Sequence, residues 1–400
     1  MQVRKLGADE IFDGYELKKN HVLVLDSLGM VVDLLPHDTA GEGIESFRGL
    51  LTPGFINCHC HLELSHMKGK IAVKTGLVDF VLGVVMNRNA SLDEIETAIE
   101  RADQEMYEGG IVAVGDICNT RHSLLRKSRS PIHYYNFLEA TGWLPSLSQA
   151  RFEAVKGLFA EYEALYNDAA WAPVSIVPHA PYSVSNELWS LIQPYFTNRI
   201  VSIHNQETGS EDEFFLSGTG KFLGMYEMMK IDNSHHLPTG QTSLRSYYEK
   251  LQPATRAILV HNTYTTESDL IYVQETSGNS SHRNHYGVRN HPDPYFCLCV
   301  NANLYIEDKL PAVERMVKHS CRIVLGTDSL ASNHSLSIAD EIKTIRTHFP
   351  GIALEQVLGW ATLNGAKALG IDERFGSFEK GKQPRVVLVD TDTGSSKRIA

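Results

Sequence analysis

The sequence predicts an α/β protein, a (β/α)8 barrel with a small β-sandwich domain built from both chain ends. Three features point to it. Eight short β-branched runs recur between Gly54 and Gly326, and eight is the strand number of a closed parallel barrel. Helix-period segments lie between several of them, the rhythm made by strands joined through covering helices. Strand-like pieces broken by turn residues occupy both chain ends. The expected division is residues 1–53 for the first sandwich piece, 54–370 for the barrel and 371–400 for the second piece.

Taken in order, Val22 to Leu25 and Met30 to Leu34 read as strands punctuated by Asp26-Ser27 and Gly29. The eight runs follow: Gly54 to His61, Ile111 to Ile117, Ile132 to Leu138, Val174 to Pro178, Ile200 to His204, Ala257 to His261, Phe296 to Val300 and Arg322 to Gly326. Before the second run, Ser91 and Glu94 make a capping-box pattern, Ile95, Ala98, Ile99, Ala102 and Met106 form one stripe, and Gly109-Gly110 stops the helix. Further helices are predicted from Ser148 to Tyr166 and from Ser337 to His348. Glu275 to Pro294, rich in Ser, Asn and His, reads as loop, and Thr208 to Thr255 is the longest excursion between barrel strands. Near the end, Gly376-Ser377 and Gly381-Lys382 are turns before the strand Val386 to Val389.

Composition narrows the function. With 37 basic and 48 acidic side chains the net charge is -11, and no basic stripe is visible, so nucleic acid and anionic membranes are disfavoured and small molecules remain. The first residues lack the apolar core of a secretory signal, and the longest apolar run, Phe80 to Met86, is far too short to span a membrane, so a cytoplasmic location is expected. Cys58, Cys60, Cys118, Cys297, Cys299 and Cys321 have neither disulfide-scaffold density nor C-x-x-C spacing, so reduced thiols are expected. A homodimer is the base-rate expectation for assembly.

Chemistry-bearing residues gather at the ends of the runs. His59 and His61 are two apart on the first run, so strand geometry points both to one face, while Cys58 and Cys60 point to the other. Such a pair offers two imidazoles to one cation but, alone, is more often a pair of core histidines. The fifth run ends at His204 with Glu207 three residues on, the sixth at His261, and the eighth is followed by Asp328. In a barrel these ends share one mouth, which can bring distant positions within ligand reach. A structural zinc site of Cys58, Cys60, Cys297 and Cys299 is disfavoured, since the two pairs sit on separate strands.

Pro53-Gly-Phe-Ile-Asn-x-His59-x-His61-Leu, His204-x-x-Glu207, Val260-His261, Asn301-x-Asn303, Gly326-Thr-Asp328-Ser and Ala331-Ser-Asn333 resemble the amidohydrolase superfamily, in its cytosine-, guanine- and adenosine-type deaminase and chlorohydrolase branch. The likeness extends through Ala361 to Gly370 and Gly376 to Lys382, and His-Leu-Glu63-Leu-Ser65 is similar to aminodeoxyfutalosine deaminases. The resemblance implies a (β/α)8 TIM barrel and one divalent ion on His59, His61, His204 and Asp328, with zinc expected and iron the alternative. One ion is implied because the fourth run carries no lysine to bridge two. It further implies hydrolytic removal of the exocyclic amine of a purine, pyrimidine or related heterocycle such as an adenine-type nucleoside. In that reaction Glu207 would protonate the ring nitrogen, while Asp328 and His261 would act on the attacking water. His179, Glu63 and Asn303 are expected at the substrate.

Two segments depart from the family pattern. Cys299-Val-Asn-Ala-Asn303 replaces Cys-Pro-x-Ser-Asn on the seventh strand, which bears on the pocket wall, and Gly381-Lys-Gln-Pro-Arg385 replaces Gly-Lys-x-Ala-Asp, away from catalysis. The rival expectations are a cyclic-amide ring-opening hydrolase, a triazine chlorohydrolase and a catalytically silent binding protein.

Overall fold

The structure, a computed structural model, describes residues 3–166, 174–278, 291–390 and 393–400. Eight strands, Phe55–Cys60, Ile111–Cys118, His133–Ala140, Val174–Pro178, Ile200–Asn205, Arg256–His261, Asp293–Leu298 and Ile323–Leu325, pair in parallel as two four-stranded halves. The halves are stitched at two seams. At one, the His204 N–H donates to the His179 carbonyl at 3.0 Å; at the other, the Thr327 and Asp328 N–H groups both donate to the His59 carbonyl at 3.0 Å. Both seams therefore run through the residues singled out by sequence. Gly326 makes the second one feasible, because a Cβ there would lie 2.8 Å from the His59 Cβ and 2.8 Å from the Cys297 Sγ.

The barrel interior is closed by Val, Ile, Leu and aromatic side chains, as parallel strands covered on both faces require. The helix Leu92–Glu108 starts as expected, with Ser91 accepting the Glu94 N–H at 3.2 Å and Ile95, Ile99 and Met106 buried. Its Glu94 carboxylate turns to Lys70 instead of completing the box. Ser148–Tyr166 and Ile338–His348 are helices as well, the latter capped by Ser337. The 208–255 excursion carries three short α-helices, Gly209–Ser217, Lys221–Met228 and Ser243–Tyr247, and a 3-10 turn, Tyr248–Leu251. Phe214, Phe222 and Tyr226 from it pack with Met67, Phe80, Trp143, Tyr182 and Tyr305 in a second apolar cluster, built from segments that follow the barrel strands' carboxyl ends.

Two expectations need correction. The seventh strand stops at Leu298, and Val300–Glu307 is a helix, so Asn303 projects from a helical turn and not from a strand. Of the predicted loop 275–294, residues up to Gly278 complete the helix Glu267–Gly278 and Asp293 begins a strand, while 279–290 lie outside the described residues.

Strands from both ends of the chain share one sheet in the order Ser396–Arg398, Val386–Val389, Ile44–Pro53, Val3–Phe12, His21–Asp26, Val31–Pro36. Hydrogen bonds join them in a single mixed sheet and not in two separate ones, with Leu51 opposite Leu388 in the antiparallel pair that unites the termini. Its core holds Leu6, Ile11, Leu23, Leu25, Phe378 and Val386. Gly54 links this sheet to the barrel where a Cβ would strike Val112 and the Pro384 carbonyl. Among the described residues no helix is long and apolar enough to cross a membrane.

Candidate active site

Period-two geometry on the first barrel strand sends His59 and His61 into the mouth, where the fifth strand brings His204 and the eighth strand's exit brings Asp328. One donor atom from each of the four lies within 4.8 Å of the others, and all four residues are buried. His61 Nε2 is 3.3 Å from His204 Nε2 and 3.4 Å from Asp328 Oδ1, and His59 Nε2 is 3.5 Å from the same oxygen. Donors about 2.0–2.1 Å from a shared four-coordinate ion stand about 3.3–3.4 Å apart, and these three pairs are close to that spacing.

The electrostatics agree. Burial holds the His61 imidazole down at about 3, with His59 adding to it and Asp328 opposing, and burial beside the other imidazoles holds His204 well below its ordinary value. At neutral pH both rings offer lone pairs. His204 Nδ1 donates to the His179 carbonyl at 2.9 Å, which turns Nε2 toward the cluster as the free electron pair. Burial works to raise Asp328, but His59, His61 and His261 outweigh it and keep the carboxyl well below its usual range. Its Oδ2 accepts the Ser332 hydroxyl at 2.5 Å. Both ring nitrogens of His59 are buried without a hydrogen-bond partner, a costly state that a bound cation at Nε2 relieves.

Glu207 and His261 stand next to the cluster, Oε1 to Nε2 at 3.5 Å, and both are buried. Burial, then the charges of Asp328, Glu211 and Glu307, push the Glu207 carboxyl well above its ordinary value. Burial lowers His261 to about 4. Its Nδ1 pairs with Asn303 Oδ1 at 2.9 Å, and the Asn303 amide donates back to the His261 carbonyl at 3.3 Å. Gln206, His261, Asn262 and Asp328 all take positive φ, between 44° and 75°, at these strand exits. Left-handed backbone at buried non-glycine residues is strain of the kind that surrounding structure holds in place at functional sites.

The residues expected at the substrate fare differently. His179 lies beside His204, ring centroids 4.8 Å apart, with Nδ1 2.6 Å from Ser183 Oγ. Glu63 has its carboxylate engaged elsewhere, accepting the Asn119 and Thr120 N–H groups and the Thr120 hydroxyl at 2.8–3.2 Å. It thus braces the turn after His61. Asp116 does the same work, accepting the Leu62 N–H at 2.8 Å while paired with the fully buried Lys127. Asn303 spends its amide on His261.

Glu139 is the residue that sequence reading missed. It lies at the mouth end of the third strand, where the other candidate residues sit, but the predicted run stopped one residue short at Leu138. Glu139, His179 and His204 form the second group of metal-capable side chains among the described residues. His204 Nδ1 donates to the His179 carbonyl, so beyond the first cluster this group adds only Glu139 and His179. No cysteine belongs to either group; Cys58, Cys60, Cys297 and Cys299 are buried free thiols.

Known proteins share this architecture. Residues 50–399 match the family model described as the Amidohydrolase family. The chain is 27% identical over 340 residues to an adenosine deaminase of Helicobacter pylori, covering 84% of this chain and 77% of that one. Among solved structures, the aminofutalosine deaminase of Helicobacter pylori in complex with methylthio-coformycin superposes with a TM-score of 0.79 at 22% identity, over 96% of this chain and 92% of that one. A zinc-bound adenosine deaminase of Xanthomonas campestris gives a TM-score of 0.71 at 20% identity, over 97% and 85%. With the family model spanning most of its length and the four-residue cluster at the barrel mouth, this chain belongs to the amidohydrolase family.

Proposed function

We propose that the protein hydrolyses the exocyclic amine of an adenine-type nucleoside, releasing ammonia, with one divalent ion, zinc by preference, on His59, His61, His204 and Asp328. The observation that carries this reading is the juxtaposition of the four-donor cluster with a buried carboxyl outside it, Glu207, 3.5 Å from His261. The adenosine- and aminofutalosine-deaminase relatives support the substrate class. When bound, such an ion lowers the pKa of water from about 15.7 toward about 7, which supplies the nucleophile at neutral pH.

The chain's own groups move the protons. Glu207 keeps its proton because burial and neighbouring carboxylates disfavour the anion, so it can deliver that proton to the ring nitrogen and make the amine-bearing carbon electrophilic. His261 begins neutral, and its Asn303 contact assigns the proton to Nδ1, so Nε2 faces the site as an acceptor. Its Nε2 accepts a hydrogen bond from the attacking water and so orients it toward the amine-bearing carbon. Asp328 remains ionised and receives the water proton, and Ser332 fixes its second oxygen. Attack forms the C–O bond; Asp328 then passes the water proton to the amine, the C–N bond breaks to expel ammonia, and the hydroxyl proton left on that carbon returns to Glu207 as the carbonyl forms. The same division between a metal site and a non-ligating glutamate serves zinc nucleobase deaminases of another fold.

An ammonia-release screen over aminopurines, aminopyrimidines and their nucleosides, on protein of measured metal content, tests the reading. Ammonia from an adenine nucleoside with about one metal per chain is the expected result. A ring-opened carboxylate, released chloride, or protein that takes up no metal would overturn it.

A further inference from the structure

Glu139 has no part in the reaction above. Its side chain is buried at the mouth end of the third barrel strand. Oε2 accepts the Asn119 Nδ2–H at 3.0 Å, but Oε1 is buried with no hydrogen-bond partner and lies 3.8 Å from His204 Nδ1, whose proton is committed to the His179 carbonyl. An acceptor left in this state is expensive, and native structures rarely leave one unanswered. It belongs to the group of donor atoms, from Glu139, His179 and His204, gathered within 4.8 Å, and His204 is also part of the cation cluster. Glu139 therefore stands with His179 and His204 along one wall of the candidate cation cluster.

That wall offers acceptors. Ser183 donates its hydroxyl to the Ala180 carbonyl at 3.1 Å, so it receives the His179 Nδ1–H at 2.6 Å and leaves His179 Nε2 as a lone pair. A glycosylated adenine ring presents only acceptor nitrogens, and its sole N–H groups are on the amine that reacts. The remaining donors on such a substrate are the hydroxyls of its sugar. We propose that Glu139 Oε1 accepts a hydrogen bond from a sugar hydroxyl of the nucleoside, making Glu139 a specificity-determining residue that separates nucleosides from free bases and deoxy analogues. Carboxylates hold ribose hydroxyls in the same way at dinucleotide sites.

The inference rests on the nucleoside-deaminase reading, and the test keeps the two apart. Adenosine, 2′-deoxyadenosine, 3′-deoxyadenosine and adenine are compared in wild type, E139Q and E139A, with metal content measured for each protein. Asn119 requires an oxygen opposite its Nδ2, so Gln turns an N–H toward the substrate where the wild type has an acceptor. The wild type should prefer adenosine over the analogue lacking the contacted hydroxyl by roughly tenfold to a hundredfold in kcat/KM. In both variants that gap should collapse toward one, chiefly through KM, with metal content unchanged. Equal losses on adenosine and every analogue, or a wild type that does not distinguish them, overturn the role of Glu139 alone. No ammonia from wild-type protein on any member overturns the parent reading with it.

Discussion

The barrel mouth and the sheet that joins the chain ends solve opposite problems. The sheet buries Leu6, Ile11, Leu23, Leu25 and Val386 against one another, an apolar core whose only task is cohesion. The mouth buries His59, His61, His204, Glu207, His261 and Asp328, each a group that water would rather solvate. Several of these atoms lack partners, and Gln206, His261, Asn262 and Asp328 sit in left-handed backbone. The contrast teaches where the fold's stability is made and where it is spent: the mouth is held in an unfavourable arrangement by the structure around it, one that the proposed cation and substrate would relieve.

Substitutions should separate the two regions cleanly. The largest effect is expected from Asp328→Asn, which removes the carboxylate common to three close contacts in the cluster; bound metal and turnover should both fall to background, read by metal analysis and ammonia release. Glu207→Gln should keep the metal yet lose about 10²–10⁴ in kcat, since only the proton donor is gone. A fully active variant would take Glu207 out of the mechanism. Ser332→Ala frees Asp328 Oδ2 and should cost about 10–100-fold in metal affinity or activity, the usual scale for a group that orients a ligand. Leu23→Ala, in the terminal sheet, should leave kcat/KM of the folded protein unchanged while lowering unfolding free energy by about 2–5 kcal/mol in denaturant titration. Lost activity there would mean the sheet and the mouth are coupled.

The same contrast explains what the sequence could reveal. Short β-branched runs placed the barrel strands within a few residues, because burial on both faces leaves a continuous apolar signature. His59, His61, His204 and Asp328 were legible since each falls at or just past a strand end of a countable barrel, and the barrel rule supplies the missing third dimension. The stop at Leu298 was not, for Cys299 and Val300 suit a strand as well as a helix start. Nor were the true partners of Glu63 and Asn303, because a polar side chain near a mouth can turn to substrate or to a neighbouring backbone, and only packing decides. The buried Asp116–Lys127 pair was invisible for the same reason: nothing local links residues on a strand and on the helix that follows it.

The smallest expected effect concerns pH, and it distinguishes the regions by the shape of a curve. Burial raises the Glu211 carboxyl to about 8, although the Glu207 and Gln206 N–H groups and the Ser243 hydroxyl oppose it at 2.8–3.1 Å. Its ordinary value is 4.5. Below that value both folded and unfolded chains carry the proton, so stability is full. Between 4.5 and about 8 the unfolded chain ionises while the folded one still holds its proton, so the folded state binds more protons and unfolding free energy falls as pH rises. Above about 8 both are ionised and the slope vanishes. One such group contributes a slope of at most about 1.4 kcal/mol per pH unit. Glu341, raised by burial to about 8, and Glu63 and Glu139, raised to about 7, tilt the curve in the same direction. In metal-free protein, Glu211→Gln should therefore flatten the decline of stability between pH 5 and pH 8, whatever it does to the absolute level. Leu23→Ala should lower the whole curve and leave its tilt intact, because an apolar core has no proton to exchange. Parallel curves for wild type and Glu211→Gln would show that Glu211 ionises in the folded mouth much as it does in water.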